Sequence, residues 1–235
     1  MTNGIEKLIL FDIDGTLVWT AGAGRSAISQ ALLDEMGATG PIEGFRFEGK
    51  TDPQIVMELM RAAEHPHAES RQHVDAVCAR YLELLVSALE ERRQQIRLYP
   101  GVASLLEELH ARDDALVGLL TGNLERGAQL KLGAAGIDVS RFGPGAYGSD
   151  AVARSDLPAI AARRAAPLMG RVPHGEEIVI LGDTPADMTC GNGVGARAIG
   201  VATGWHSREE LEAHGAYQVF EDFSDPAPVI EAIYA

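Results

Sequence analysis

A chain of 235 residues, 46% of them hydrophobic and with a formal charge of −14, can bury one sizeable core, or a core and a smaller partner unit, and its mean hydropathy of −0.02 argues against disorder. Phosphate backbones are gripped by clustered Lys and Arg, so this acidity argues against a nucleic-acid partner. No apolar run nears the roughly 18 residues that cross a bilayer, and MTNGIEK lacks the basic and apolar regions of a secretory leader. The expectations are a cytoplasmic location and no membrane partner. Cys78 and Cys190 fit neither a disulfide framework nor a zinc site, and are expected as buried free thiols.

Lys7 to Asp12 is rich in Leu, Ile and Phe without polar alternation, the pattern of a strand buried on both faces of a parallel sheet. The DGT that follows breaks it with a turn. From Gly22 to about Leu98 the pattern is helical. Ile28, Ala31, Leu32 and Met36 share one face, and Gly37 suits the helix end. TDPQIVMELM opens a second helix, with Asp52 as the expected N-cap, Pro53 at the first helical position, and Ile55, Val56, Leu59 and Met60 facing inward. Val74, Val77, Cys78, Tyr81, Leu82, Leu85, Val86 and Leu89 keep a period near 3.6 over a third helix.

After YPGV the pattern alternates. Helices are expected over 102–110, 124–135, 157–168, 185–190, 207–214 and 226–234, and strands over 115–120, 146–148, 177–181, 196–202 and 217–220. Strands separated by helices of this length predict an α/β fold with a doubly wound parallel sheet and right-handed crossovers. The expected organisation is an α/β core domain of 1–19 and 99–235 and a smaller all-helical cap domain of 20–98.

Open parallel sheets bind ligands beyond the carboxyl ends of their strands. Three predicted strands end in polar, reactive text: LILFDIDGT, ALVGLLTGN and IVILGDTPAD. If these strands are neighbours, Asp12, Asp14, Thr121, Asp183 and Asp187 converge on one rim. Crowded carboxylates repel by roughly 4 kcal/mol at about 4 Å and an effective dielectric near 20, so a cation belongs among them. All-oxygen ligation points to a hard ion, and Mg2+ takes one or two carboxylates plus waters and phosphate oxygens. Such an ion makes carboxylate attack on an anionic phosphate ester feasible. Asp12 and Asp14 lie two apart, so they share a side while Ile13 faces the core. One attacks, and the other protonates the departing oxygen. The acid/base role falls to Asp14, whose carboxyl nearby negative charge or desolvation could raise. Thr121 can donate its hydroxyl to a phosphoryl oxygen, with the Gly122 and Asn123 amides beside it at a helix start.

These residues resemble the haloacid dehalogenase superfamily in its phosphatase branch. DIDGT matches the first motif, Thr121 the second and GDTPAD the fourth, and the insert after the first strand is similar to the helical cap of phosphoglycolate phosphatase relatives. The resemblance implies a magnesium-dependent hydrolase of a small phosphorylated metabolite, acting through an aspartyl-phosphate. It makes Asp12 nucleophile and metal ligand, Asp14 acid/base and a ligand through its carbonyl, Asp183 a metal ligand, and Asp187 a ligand or its support. Gly15, Gly122, Asn123 and Lys50 complete the substrate-binding candidates, Lys50 as a cap residue reaching the leaving group.

The third motif of that family usually supplies a Lys, and the only lysines here are Lys7, Lys50 and Lys131. Arg154, ahead of a helix in ARSDLP, is the expected substitute, since Arg keeps the charge and grips phosphate with two donors. Lys131 is the alternative. GAGRS lacks the ending of a phosphate loop and reads as a hinge, while GNGVGA follows a helix rather than a strand, unlike a dinucleotide fingerprint. His65 and His67 read as an interhelical loop. A sugar phosphomutase or phosphonate hydrolase of the same superfamily, or an Asp-phosphorylated signalling or binding protein without turnover, are the alternative functions. The cap chooses the leaving group, so the substrate stays open, as does monomer or homodimer.

Overall fold

The structure is a computed structural model and describes residues 4–235. In chain order its elements are β1 (Lys7–Phe11), β2 (Val18–Trp19), α1 (Ala23–Met36), α2 (Asp52–Ala62), α3 (Arg71–Glu91), β3 (Arg97–Leu98), α4 (Val102–His110), β4 (Ala115–Leu119) and α5 (Glu125–Ala134). There follow α6 (Leu157–Met169), β5 (Ile178–Gly182), α7 (Pro185–Cys190), β6 (Arg197–Val201), α8 (Arg208–Ala213), β7 (Gln218–Phe220) and α9 (Pro226–Tyr234). Five strands form one parallel sheet in the order β4-β1-β5-β6-β7.

Apolar residues alternate across β1 and send side chains to both faces. Ile9 and Phe11 join the cluster with Leu105 and Leu109 of α4 and Val229 and Ile233 of α9; Leu8 and Leu10 join the one with Leu157, Ala161 and Ala165 of α6. Covering both faces removes the sheet from water, which is why its central strands carry no polar alternation. Phe11 pairs with Leu119 of β4 on one side and Leu181 of β5 on the other. That register aligns the carboxyl ends of three strands at one edge, the place where the chain switches from one side of β1 to the other.

The α1–α3 segment has an apolar cluster of its own, built on Ile28, Leu32, Val56, Leu59, Val77, Tyr81 and Leu85, and Leu124, at the entrance of α5, joins it. Left-handed glycines bracket α1: Gly22 at its start and Gly37 at its end, where the Gly37 N–H donates to the Leu33 carbonyl. A short antiparallel ribbon, β2 with β3, ties together the two places where the chain enters and leaves this segment. No described helix is long and apolar enough to cross a membrane. Burial pushes the thiols of both free cysteines up to about 12.

Several expectations are corrected. Asp52 is not the N-cap of α2: Thr51 is, its hydroxyl accepting from the Gln54 N–H at 3.2 Å. The Asp52 carboxylate turns away and accepts from the Leu124 N–H at 2.8 Å, at the start of α5. Val86 is 53% exposed, one position round the helix from the buried Leu85. Ala146 makes one bridge to Leu120 rather than a strand. The β2–β3 ribbon was not expected, because two-residue strands carry no periodicity to read.

Candidate active site

Asp12 follows β1 directly, and its N–H still donates to the Leu181 carbonyl at 2.9 Å, so the ladder of β1 with β5 fixes its backbone. Asp183 follows β5, and Asp187 lies in the first turn of α7. Pro185 opens that helix, and Thr184 caps it: the Thr184 N–H and hydroxyl both donate to the Asp187 carboxylate, at 3.1 and 2.6 Å. GDTPAD is thus a helix start whose capping box holds a carboxylate under the strand end. Asp12, Asp183 and Asp187 each offer an oxygen within 4.8 Å of the others, and all are buried. Gly15, at φ +85°, has no room for a Cβ, which would fall 2.2 Å from a carboxylate oxygen of Asp183. The left-handed turn and that close approach together require glycine.

One guanidinium stands among these three acids. Arg154, itself buried, lies 3.3 Å from Asp12 Oδ1, pairs with Asp187 and donates to the Leu120 carbonyl at 3.2 Å. Its Nε–H is shielded from solvent and has no acceptor among the described residues. Burial pushes Asp12 up to about 6, with Arg154 pulling against it and Asp187 and Asp14 adding to the rise. Burial likewise holds Asp183 well above the usual carboxylate range, reinforced by Asp187 and Asp12. Three buried carboxylates against one guanidinium leave uncompensated negative charge, and the donors are all oxygen. That donor set fits a hard divalent cation.

The second half of the site faces α1–α3. Asp14 accepts from Lys131 Nζ at 2.6 Å and from Asn123 Nδ2 at 2.8 Å, and Lys131 also donates to Asn123 Oδ1 at 2.6 Å. Thr121 Oγ1 accepts from the Asn123 N–H at 3.3 Å and from Asn123 Nδ2 at 2.8 Å, which leaves its own proton free to donate. Lys131 is buried. Burial alone would lower its pKa, but Asp14 and Asp52 hold the ammonium above its ordinary value. Burial pushes Asp52 up to about 6, against the opposing pull of Lys131. Gly122 touches the helical segment: its carbonyl accepts from the Asp52 N–H at 2.8 Å, and a Cβ on it would fall 1.9 Å from the Lys50 carbonyl.

A cavity of about 240 Å³ opens over both halves. Asp12, Asp14, Gly15, Lys50, Thr121, Gly122, Asn123, Arg154 and Asp183 all line it, and Asp187 lies behind Arg154. The Asp14 side chain stays outside the cluster of three carboxylates, engaged by Lys131 instead. Lys50 reaches Glu58 at 2.9 Å. Arg154 and Lys131, weighed as alternatives for one role, occupy two different places. Sequence reasoning missed Asp52, Glu48, Arg25, Tyr81 and Trp205, which also line the cavity. The scarcity of lysine was a usable signal, since two of the three line this one cavity.

The chain is similar to several known proteins. Proteins named phosphoglycolate phosphatase from Pseudomonas fluorescens and Rhodospirillum rubrum are 27% and 25% identical over 216 and 221 residues; these alignments cover 88% and 94% of this chain and 74% and 89% of theirs. In crystal structures, a mutant of CbbY from Rhodobacter sphaeroides in complex with xylulose-(1,5)bisphosphate superposes with a TM-score of 0.74 at 23% identity, covering 94% of this chain and 96% of that one. The family model described as haloacid dehalogenase-like hydrolase matches residues 9–192, from the middle of β1 to just beyond α7. All three strand ends that build the cavity floor fall inside that match, and the chain belongs to the haloacid dehalogenase-like hydrolases.

Proposed function

We propose that this protein is a magnesium-dependent phosphatase of a small phosphorylated metabolite, working through an aspartyl-phosphate on Asp12, with residues 20–98 as a cap over a core of 1–19 and 99–235. The observation that carries this reading is the placement of Asp12 at a strand end on the cavity floor, 3.3 Å from a buried guanidinium and beside the Asp183 and Asp187 carboxylates. Arg154 lines the cavity, and Arg is suited to gripping a phosphoryl oxygen. The relatives named phosphoglycolate phosphatase support the phosphoryl chemistry. Lys50, engaged by Glu58, does not favour a phosphonate hydrolase, which would need a free amine.

Asp12, Asp183 and Asp187 would hold the ion, with Asp14 contributing through its backbone carbonyl. Bound there, Mg2+ neutralises charge between an anionic ester and an anionic nucleophile. The remaining work falls to the chain. Arg154 and the Thr121 hydroxyl bind phosphoryl oxygens and orient phosphorus toward an Asp12 oxygen. That oxygen attacks, the bond to the leaving oxygen breaks, and the Asp14 carboxyl gives its proton to the leaving oxygen. Asp14, now a carboxylate, takes a proton from water as the water attacks phosphorus, and free Asp12 returns with inorganic phosphate. Lys131 and Asn123 hold the Asp14 side chain at the cavity floor between these steps.

A screen of phosphorylated metabolites, with and without magnesium, tests the reading. Wild type should release phosphate over many turnovers only when magnesium is present, and Asp12→Asn should release none above background. Equal rates in the chelated protein, or an active Asp12→Asn, would overturn it.

A further inference from the structure

Asp14 is held by two side chains, Asn123 and Lys131, which both donate to its carboxylate. Both ride on one piece of backbone: Asn123 immediately precedes Leu124, the N-cap residue of α5, and Lys131 lies within α5. The sequence of that helix start provides poorly for it. Leu124 has no side-chain oxygen with which to cap, and Gly127, three residues on, has no side chain to reach back to the Leu124 N–H as Glu or Gln does in a capping box.

The missing acceptor comes from α2. Asp52 Oδ2 takes the Leu124 N–H at 2.8 Å across 72 residues of sequence, and a carboxylate suits a helix start. Its seat is tight. The Asp52 N–H donates to the Gly122 carbonyl at 2.8 Å, the Thr51 hydroxyl donates to the Val152 carbonyl at 2.7 Å, and a Cβ on Gly148 would fall 2.1 Å from the Gly122 carbonyl oxygen. Asp52 is buried there, so water is a poor replacement for its carboxylate.

We infer that Asp52 is a positioning residue for the general acid: by completing the start of α5 from the helical segment, it fixes Asn123 and Lys131 and, through them, the Asp14 carboxyl. The inference rests on the phosphatase reading above. Without Asp52 the Leu124 N–H is orphaned, the first turn of α5 loosens, and Asp14 loses its two-point hold. The deep half has other anchors, the β1–β5 ladder at Asp12 and the capping box at Asp187, so attack on phosphorus keeps its geometry.

Two esters of similar shape but unequal need for an acid test it. Phenolate is a stronger base than 4-nitrophenolate and leaves far less readily without a proton. The quotient kcat/KM covers the steps up to departure of the leaving group, so the ratio of the two esters reads the acid and is unmoved by a general loss of active protein. Asp52→Ala should lower kcat/KM for phenyl phosphate by about tenfold more than for 4-nitrophenyl phosphate. Asp52→Asn keeps an acceptor for the Leu124 N–H and should recover most of that difference. An equal loss on both esters in Asp52→Ala, or Asp52→Asn as impaired as Asp52→Ala, would overturn this inference alone. No turnover of any ester by wild type would overturn the phosphatase reading and this inference with it.

Discussion

Two buried cations reach the floor of one cavity, and their surroundings differ. Arg154 sits among Asp12 and Asp187 at the ends of the central strands, where sheet and capping box fix every partner. Lys131 comes from the helix α5 and meets Asp14 and Asn123 on one side and the field of Asp52, a residue of α2, on the other. The deep half is built by the α/β layer alone. The outer half is shared with the helical segment. A site divided this way can keep one reaction while its outer half is changed to suit another substrate.

The sharpest way to break the deep half is Asp12→Asn, which should reduce phosphate release by at least about 10³-fold. The protein should stay folded. Asp12 is pushed up to about 6 by burial, so a neutral amide relieves repulsion, and the melting temperature without metal should be equal or higher. A lower melting temperature would contradict the electrostatic account of that half.

Arg154→Ala leaves Asp12 and Asp187 buried without their cation, a loss of about 3–5 kcal/mol in stability. Arg154→Lys should recover part of it, because the charge returns on a shorter side chain than the one whose single terminal nitrogen meets both carboxylates and the Leu120 carbonyl. Denaturant unfolding of the three proteins checks the order.

In the outer half, Lys131→Met should lower kcat by about tenfold to a hundredfold, since it frees Asp14 from its position and removes part of what a placed acid contributes. Asp14→Asn should cost more. If Lys131→Met lost as much activity as Arg154→Ala, the distinction between the halves would fail.

The smallest expected effect is on the pH dependence of stability through Asp52. Its carboxyl is raised from 3.8 to about 6 by burial, so the folded protein binds that proton more tightly than the unfolded chain. Between roughly pH 4 and 6 the folded state therefore holds more protons, and the Asp52 contribution to stability falls as pH rises through that window. Asp52→Asn keeps an acceptor for the Leu124 N–H and removes that titration. The melting temperature of Asp52→Asn minus that of wild type should rise from pH 4 to 6, while Asp52→Ala, which orphans the N–H, should lose about 1–3 kcal/mol relative to Asp52→Asn. A difference that falls over that window would contradict the sign.

The deep half was legible because its residues stand where apolar runs stop. Asp12 and Asp183 each interrupt a strand pattern, and the parallel sheet makes those interruptions neighbours. Arg154 could be found by the lack of a Lys near that point. In the outer half Asp14, Thr121 and Asn123 carried the same mark, and the residues supplied by the helical segment did not. Asp52 reads as a helix cap because Asp before Pro usually is one, and only the packing of α2 against α5 shows its side chain capping another helix. Glu48 looks like any polar residue between helices, since its place on the cavity wall is a property of three-dimensional surroundings.

The central claim is that Asp12 itself carries the phosphoryl group. Acid quench of the protein during turnover of a phosphate ester, followed by borohydride reduction, converts an aspartyl-phosphate to homoserine, which peptide mass spectrometry locates. The account predicts homoserine at position 12, with position 14 unchanged and no product in Asp12→Asn. Homoserine at position 14, or none at either position during magnesium-dependent turnover, would contradict it.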